Sequence, residues 1–573
     1  MNTRYQQALA EPEFDALIIS FGSTASGDLA QQAAAMLESA VQQVLDRTAA
    51  GWEINEVPGL SSYFDLIPPP DQPVSIKQGF DLKNILKKEP TLEHVDTLFE
   101  TNLDNIPEDD GGVEGDMMHS LFSTPWESLT ETERNPLWNH ELINTAEAWE
   151  HSRGQGIIIG HPDSGYIPHF ELDDDRIRHD LERNFYDEAP GAVNSEERGG
   201  NHGLSTASVL ISGSAQPIEN HFVTGIAPEA TLVPLRITKK GAPIFFSRSG
   251  PRRVRNAIRH AIDSGCHVIS MSLGGPFERT LHMMIQEAVD KNIIVCAAAG
   301  NVVRIVVWPA RYEEVIAVAA CTADRKKWFH SSRGPTVDIT APGHNVWRAY
   351  IDKLGNESIA PSSGTSYATP HVAGIAALWL AKHGREELLE KYERVSLSVV
   401  FRHVLKKSCD PLPDDDRAQF GAGIVNAART LAAALPDEQE LLDEMQVAHL
   451  GQGLLEAAPT EVDYFNTIFD TLPKAEVRRR LAAMLDVPEA ELEARLRLLN
   501  TEELAFFLMT DPELREFMTE REPTDAALEP LADLQGINAQ LETQLSGRRL
   551  HENLMALPLS NELRAQMQIA LPE

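Results

Sequence analysis

Residues 361–380 read PSSGTSYATPHVAGIAALWL. Gly364 permits a tight turn, Ser366 stands where a helix should begin, and the residues beyond Pro370 are apolar all round with small Ala and Gly spaced through them. A helix with no polar face is a buried one. Ser366 then has two readings. Serine is a favoured N-cap and could simply start the helix. The same position also suits a nucleophile, because the free N–H groups and the positive end of the helix dipole would stabilise an oxyanion forming beside it.

A nucleophilic serine requires a base, and the base an orienting carboxylate. Upstream, GIIIGHPDSG (156–165) is an apolar strand that ends in Asp163 and turns away at Ser164 and Gly165. Functional groups in α/β folds sit at such strand ends, although Asp after a strand also commonly just forms a turn. NHGLSTASVLIS (201–212) puts His202 and Gly203 before a helical run of small residues, and His202 by itself could be one structural histidine among 19. IIVCAAAGN (293–301) closes a third strand on Gly300 and Asn301, whose amide could donate to a developing negative oxygen or merely occupy a turn. His161 and His169 flank Asp163, but a turn at a strand end fixes no ligand geometry, so no metal is expected there.

The chain of 573 residues is too long for one core, which predicts two or three domains. A formal net charge of -36 disfavours nucleic acid and anionic membrane surfaces as partners. The four cysteines, Cys266, Cys296, Cys321 and Cys409, lie in or beside apolar stretches, with neither a disulfide framework nor CxxC metal spacing. The amino terminus lacks the pattern of a secretory leader, and no apolar run reaches the ~18 residues of a membrane helix. A cytoplasmic location is therefore expected.

Residues 1–104 alternate strand-like and helix-like patterns: ALIISFG, DLAQQAAAMLESAVQQVL, SSYFDLIP and a second helical stretch around TLEHVDTLFE. This predicts a small α+β domain. Residues 105–136 are acidic, Gly-rich and aperiodic, as in a linker. From 137 to 435 short apolar runs alternate with helical stretches, which predicts an α/β domain with a mostly parallel sheet flanked by helices. Residues 436–573 read as all-helical, with Val477, Leu481, Met484 and Leu485 on one face, Leu504, Phe507 and Leu508 on another, and a helix start at Asp511, Pro512 and Glu513.

Taken together, the order Asp163, His202, Asn301, Ser366, the GTSxATPHVAG block, the D-S-G turn, the H-G block and AAAGN resemble the subtilisin-like serine protease family, over about 137–435. Supporting segments are GIAPEATLVPLRI, VISMSLGG, SSRGPTVDITAPG and FGAGIVNAARTL. The resemblance implies a subtilisin-like fold and peptide-bond hydrolysis. Ser366 would attack the carbonyl, His202 would carry the proton, and Asp163 would fix the imidazole, the roles known from subtilisin. The Asn301 amide and the Ser366 N–H would bind the oxyanion. Ser272, Leu273, Gly274 and Gly275, with Ala298, Ala299 and Gly300, would wall the cleft and pair with the substrate backbone. No cofactor is implied, although many family members bind calcium and the run Asp173 to Asp175 could do so. Residues 1–104 resemble by pattern an inhibitory prodomain, and the carboxy-terminal helices could dock a regulatory partner or a second copy. HGLSTAS and Tyr367 depart from the commonest family pattern without touching a reacting group. The rival G-x-S-x-G elbow fails, because its fifth position is Ala368 and its acid and histidine would have to follow the serine. The same residues would also suit a catalytically silent scaffold for partner binding, an enzyme exported without a classical leader, or a protease activated in a stress or defence pathway to cut one partner.

Overall fold

The run IIVCAAAG forms a strand buried along its whole length, and it lies inside a sheet built from similar runs. The structure is a computed structural model that describes residues 12–101, 128–194, 202–213, 222–238, 250–275, 278–301, 306–352, 354–413, 417–444, 465, 469, 472–519 and 551–568. It divides into two units, residues 1–106 with 456–573, and residues 107–455.

The first unit opens with β1 (Pro12–Phe21), α1 (Leu29–Leu45), β2 (Glu53–Val57), β3 (Leu60–Ile67), α2 (Ile76–Leu86) and β4 (Leu92–Thr101). These strands make an antiparallel sheet in the order β2-β3-β1-β4. TLEHVDTLFE, expected to be helical, is β4. Its apolar residues Leu92, Val95 and Leu98 recur every third position, yet the chain pairs with β1, Val95 opposite Ile19 and Leu98 opposite Ala16. The helix lies earlier, where Ser75 and Gln78 form a capping box that starts α2.

In the second unit, β5 (Ile158–Asp163), β6 (Arg183–Asn184), β7 (Ala189–Pro190), β8 (Thr231–Arg236), β9 (Val268–Met271), β10 (Ile294–Ala298), β11 (Ile316–Cys321) and β12 (Ile339–Pro342) form one sheet. Its order is β12-β11-β10-β9-β5-β8-β6-β7, parallel except for the short β6-β7 pair. β13 (Val346–Ile351) and β14 (Glu357–Ser362) make a separate antiparallel ribbon. Alternation along β5 sorts two helices to opposite faces. Gly160 faces α4 (Gly250–Asp263), where an added Cβ would come within 3.1 Å of Ala261. His161 and Asp163 face α3 (His202–Ile211). α5 (Arg279–Asp290) packs beside α4, and α6 (Thr365–His383), buried from Thr365 to Leu380, runs against β9 to β12. The parallel strands thus end together at one edge, where α3 and α6 begin.

Helices α7 (Lys474–Met484), α8 (Thr501–Thr510), α9 (Pro512–Thr519) and α10 (Asn561–Gln568) belong to the first unit. Asp511 caps α9 through the N–H of Leu514. Val477, Leu481, Met484, Leu485, Leu504, Phe507 and Leu508 are all buried. Phe80 of α2 stacks edge-on against Phe506 of α8, ring centres 5.6 Å apart. Asp81 accepts the first N–H of α10 from Asn561 at 2.8 Å, while Lys77 bonds both Asp81 and the Asn561 side chain. Glu503, fully buried, receives the N–H and hydroxyl of Ser560, each at 2.6 Å. Helix α2 is therefore enclosed on two sides, with Gly79 leaving room for the Phe14 ring.

Candidate active site

The D-S-G and H-G blocks meet by close packing that only glycine allows. A Cβ on Gly203 would fall 1.9 Å from the Gly165 carbonyl oxygen, and one on Gly165, whose φ is +83°, would fall 2.2 Å from that of Ala192. The Gly203 N–H donates to Ser164 Oγ at 2.9 Å. This contact sets the start of α3 against the end of β5 and brings His202 Nδ1 to 2.7 Å from Asp163 Oδ1. The Ser164 N–H donates to the same oxygen at 2.7 Å, and the Thr206 hydroxyl lies 3.3 Å from Oδ2.

Asp163 is completely buried. Burial alone would raise its carboxyl, but the His202 imidazole beside it, helped by His161 and the Ser164 N–H, holds it below the usual carboxylate range. An ionised carboxylate only accepts, so Nδ1 of His202 carries a hydrogen, and in the neutral imidazole Nε2 then holds the lone pair. That Nε2 is buried without a hydrogen-bond partner among the described residues. The His202 ring stands 6.4 Å from the ring of Tyr367, the neighbour of Ser366.

Ser366 lies in the first turn of α6. Pro370, four residues on, has no N–H for the Ser366 carbonyl, a defect that would leave an orphaned buried acceptor. The Ser272 hydroxyl donates to that carbonyl at 2.7 Å. The side chain of Ser272 thus supports the Ser366 turn. Asn301 is anchored just as directly. Its Oδ1 accepts the Thr365 N–H and the Thr365 hydroxyl, both at 2.9 Å, which leaves Nδ2 as the outward donor. A Cβ at Gly364 would lie 3.5 Å from Asn301 Nδ2 and 3.6 Å from the Ser366 nitrogen, so both donors border the same glycine. Two N–H donors beside a serine are what a tetrahedral oxyanion requires.

The expected cleft walls are the segments 272–275 and 298–300. Gly275 is already engaged, donating to the Trp308 carbonyl at 2.7 Å and accepting from its N–H at 3.2 Å. Its N–H is therefore already bonded within the chain. Ala299 donates to Val318 and accepts from the Val307 N–H. The Val307 side chain sits between the walls: a Cβ on Gly274 would strike its Cγ2 at 2.3 Å, and one on Gly300 would lie 3.2 Å from its Cγ1. Ser164, Thr206, Thr365 and Val307 all shape this edge. Thr206 and Val307 carry no mark of this in their local sequence, and their partners Asp163 and Gly274 lie far along the chain.

The Asp173 to Asp175 run does not gather into a cation site. Asp174 pairs with His179, and among the described residues three His, Cys, Asp or Glu ligand atoms converge only at His403, Glu440 and Glu444, where Lys407 already pairs with both carboxylates. That cluster does not include Asp173, Asp174 or Asp175. Cys266, Cys296 and Cys321 are buried free thiols and Cys409 is half-buried. Among the described residues no helix is long and apolar enough to cross a membrane.

A buried carboxylate, a histidine bonded to it and a serine at a helix start, all at the carboxyl edge of a parallel sheet, are the groups that a serine hydrolase needs. The chain belongs to the Subtilase family, whose model matches residues 154–424. It is 33% identical over 256 residues to thermitase of Thermoactinomyces vulgaris, covering 43% of this chain and 82% of thermitase. It is 32% identical over 246 residues to an intracellular serine protease of Paenibacillus polymyxa, covering 42% of this chain and 71% of that protein. A thermostable alkaline protease of Halalkalibacterium halodurans is 34% identical over 247 residues, 42% of this chain, and the match spans only 62% of that relative. In structure the chain resembles fervidolysin of Fervidobacterium pennivorans, described as a keratinolytic enzyme related to subtilisin, with a TM-score of 0.52 at 19% identity over 74% of this chain and 62% of that one.

Proposed function

We propose that this chain is a serine endopeptidase in which Ser366 is the nucleophile, His202 the general base and acid, Asp163 its orienting carboxylate, and Asn301 with the Ser366 N–H the oxyanion hole. The observation that carries the reading is the His202 to Asp163 bond at 2.7 Å combined with an Nε2 that has no partner among the described residues, beside the start of α6. Nε2 takes the Ser366 hydroxyl proton as oxygen attacks the peptide carbonyl, and Asp163 offsets the positive charge on the imidazolium. The carbonyl oxygen becomes negative between Asn301 Nδ2 and the Ser366 N–H. Collapse of the intermediate returns the proton to the leaving amine, and water repeats the sequence on the acyl-enzyme.

The substrates are proteins or peptides, and the first unit restrains the site. Support for restraint lies in the prodomain-like pattern of residues 1–104 and in the joining of α2 to the carboxy-terminal helices within one unit. Four cysteines without a disulfide support a reducing, cytoplasmic setting.

Intact-mass analysis after treatment with a fluorophosphonate tests the nucleophile. One adduct is expected on the wild type and none on Ser366→Ala, which should also lose about 10⁶-fold in turnover, the scale known for subtilisin. An adduct that persists on Ser366→Ala refutes the assignment. In the same assay, a folded chain lacking residues 1–104 should label faster than the full chain, and equal rates would count against restraint.

A further inference from the structure

His161 takes no part in the mechanism above, yet it lies in the strand that delivers Asp163, one side-chain alternation earlier, and is buried to 1% exposure. Its Nε2 stands 3.0 Å from the Thr206 hydroxyl oxygen and 3.7 Å from Asp163 Oδ2. The Thr206 oxygen is in turn 3.3 Å from Asp163 Oδ2 and 3.1 Å from the His202 carbonyl, one helical turn back. We propose, on the basis of the serine-protease reading, that His161 is a positioning residue for the triad, donating through Thr206 to the far oxygen of Asp163.

The hydrogen positions follow from the neighbours. The titratable groups facing His161 are Asp163 on its own strand and His202 on α3. Burial lowers the His161 pKa, the Asp163 charge opposes that fall, and His202 adds to it, so the ring is neutral and holds one proton. A lone pair on Nε2 would point toward a carboxylate oxygen. The favoured tautomer therefore puts the hydrogen on Nε2, aimed at the Thr206 oxygen and at Oδ2 behind it. With its oxygen accepting from His161, the Thr206 hydroxyl is left to donate. Its acceptors within reach are the His202 and Gly203 carbonyls, the usual helical back-bonds, and Asp163 Oδ2, which carries negative charge and forms the stronger bond. Each oxygen of Asp163 then has its own donors, His202 and the Ser164 N–H on Oδ1 and Thr206 on Oδ2, and the carboxylate cannot rotate away from the imidazole.

Removing the His161 donor frees Thr206 to turn to the His202 carbonyl. Asp163 Oδ2 becomes less satisfied, the carboxylate pulls harder on His202, and His202 takes up its second proton at higher pH. The test is the rate of fluorophosphonate labelling of the full chain between pH 5 and 9 for wild type, His161→Val, His161→Gln and Thr206→Val. For His161→Val we expect an acid limb raised by about half a pH unit and a plateau rate lowered up to ~10-fold, a fraction of what general-base catalysis contributes. His161→Gln, whose amide replaces the donor, should restore both. Thr206→Val should raise the limb as His161→Val does. An unmoved limb in His161→Val overturns the proposal, as does a Gln variant no better than Val, which would mean that the ring only fills space. If His161→Val fails to fold, Thr206→Val decides alone, and an unmoved limb there is equally fatal. Absence of label on the wild type and also on the folded chain lacking residues 1–104 would instead overturn the serine-protease reading itself.

Discussion

Thr365→Val isolates the support of the oxyanion donor from the donor itself. Valine keeps the shape of threonine and its N–H, so one of the two bonds to Asn301 Oδ1 survives and the hydroxyl bond at 2.9 Å is lost. The same hydroxyl oxygen accepts the Gly300 N–H at 3.2 Å, and Gly300 is buried, so that donor is left without its partner. An orphaned buried N–H costs about 1–3 kcal/mol, and the lost Asn301 bond adds about 1. A stability loss of roughly 2–4 kcal/mol is expected from those two terms. For chemistry, removal of a whole oxyanion donor costs about 2.7–4 kcal/mol. Loosening it by one of two tethers should cost roughly a third to a half of that, near 1.4 kcal/mol, or about tenfold in kcat. KM should hardly change, because the donor bonds the transition state more strongly than the substrate. The assay is steady-state hydrolysis of a short peptide by wild type, Thr365→Val, Asn301→Leu and the double variant. If Thr365 acts through Asn301, its substitution costs little once Asn301 is leucine. A tenfold loss that persists in the Asn301→Leu background, or a loss confined to KM, would refute the reasoning.

Val307→Gly should open the space between residues 274 and 300, so that peptides with a large side chain before the scissile bond gain at least tenfold in kcat/KM over alanine peptides. A profile of P1 variants measures this, and an unchanged ranking would show that the gap is not the side-chain pocket. Glu503 gives a pH signature to the first unit. Burial, together with Asp81, raises its carboxyl to about 7 against the Ser560 bonds, whereas in the unfolded chain it ionises near 4.5. The folded unit is therefore favoured by this group below about pH 4.5 and loses that contribution as pH rises toward 7. Glu503→Gln should flatten the dependence, seen as a melting temperature that falls by several degrees less between pH 5 and 8 than in the wild type.

Much of the second unit could be read directly because its strands are buried on both faces. Runs such as IIVCAAAG and VIAVAA have no polar residue to blur them, and the first ends at Gly300 beside Asn301. Asp163, His202, Asn301 and Ser366 were legible as candidates, each at a junction that also allowed a purely structural reading, and their order along the chain carried the resemblance. The supporting bonds were not. Ser272 looks like cleft backbone in sequence, and its hydroxyl becomes necessary only because Pro370, far along the chain, has no N–H to offer. TLEHVDTLFE misled because its apolar spacing fits a helix as well as a strand, and pairing with β1 decided the matter. His161 looked like an idle neighbour of Asp163 until α3 brought Thr206 beside it.

The contacts of α2 with α8 and α10 also bear on how the chain is made and how it can be cut. Residues 76–86 leave the ribosome early, whereas their partners, 501–510 and 561–568, follow only after the whole protease unit has been translated. The first unit cannot be complete until then, so any hold that it exerts arrives late, and a young chain passes through a period without it. A single break between the units would likewise free neither half, because Phe80 still meets Phe506 and Asp81 still caps α10. Release takes a second cut, or a partner able to part those helices.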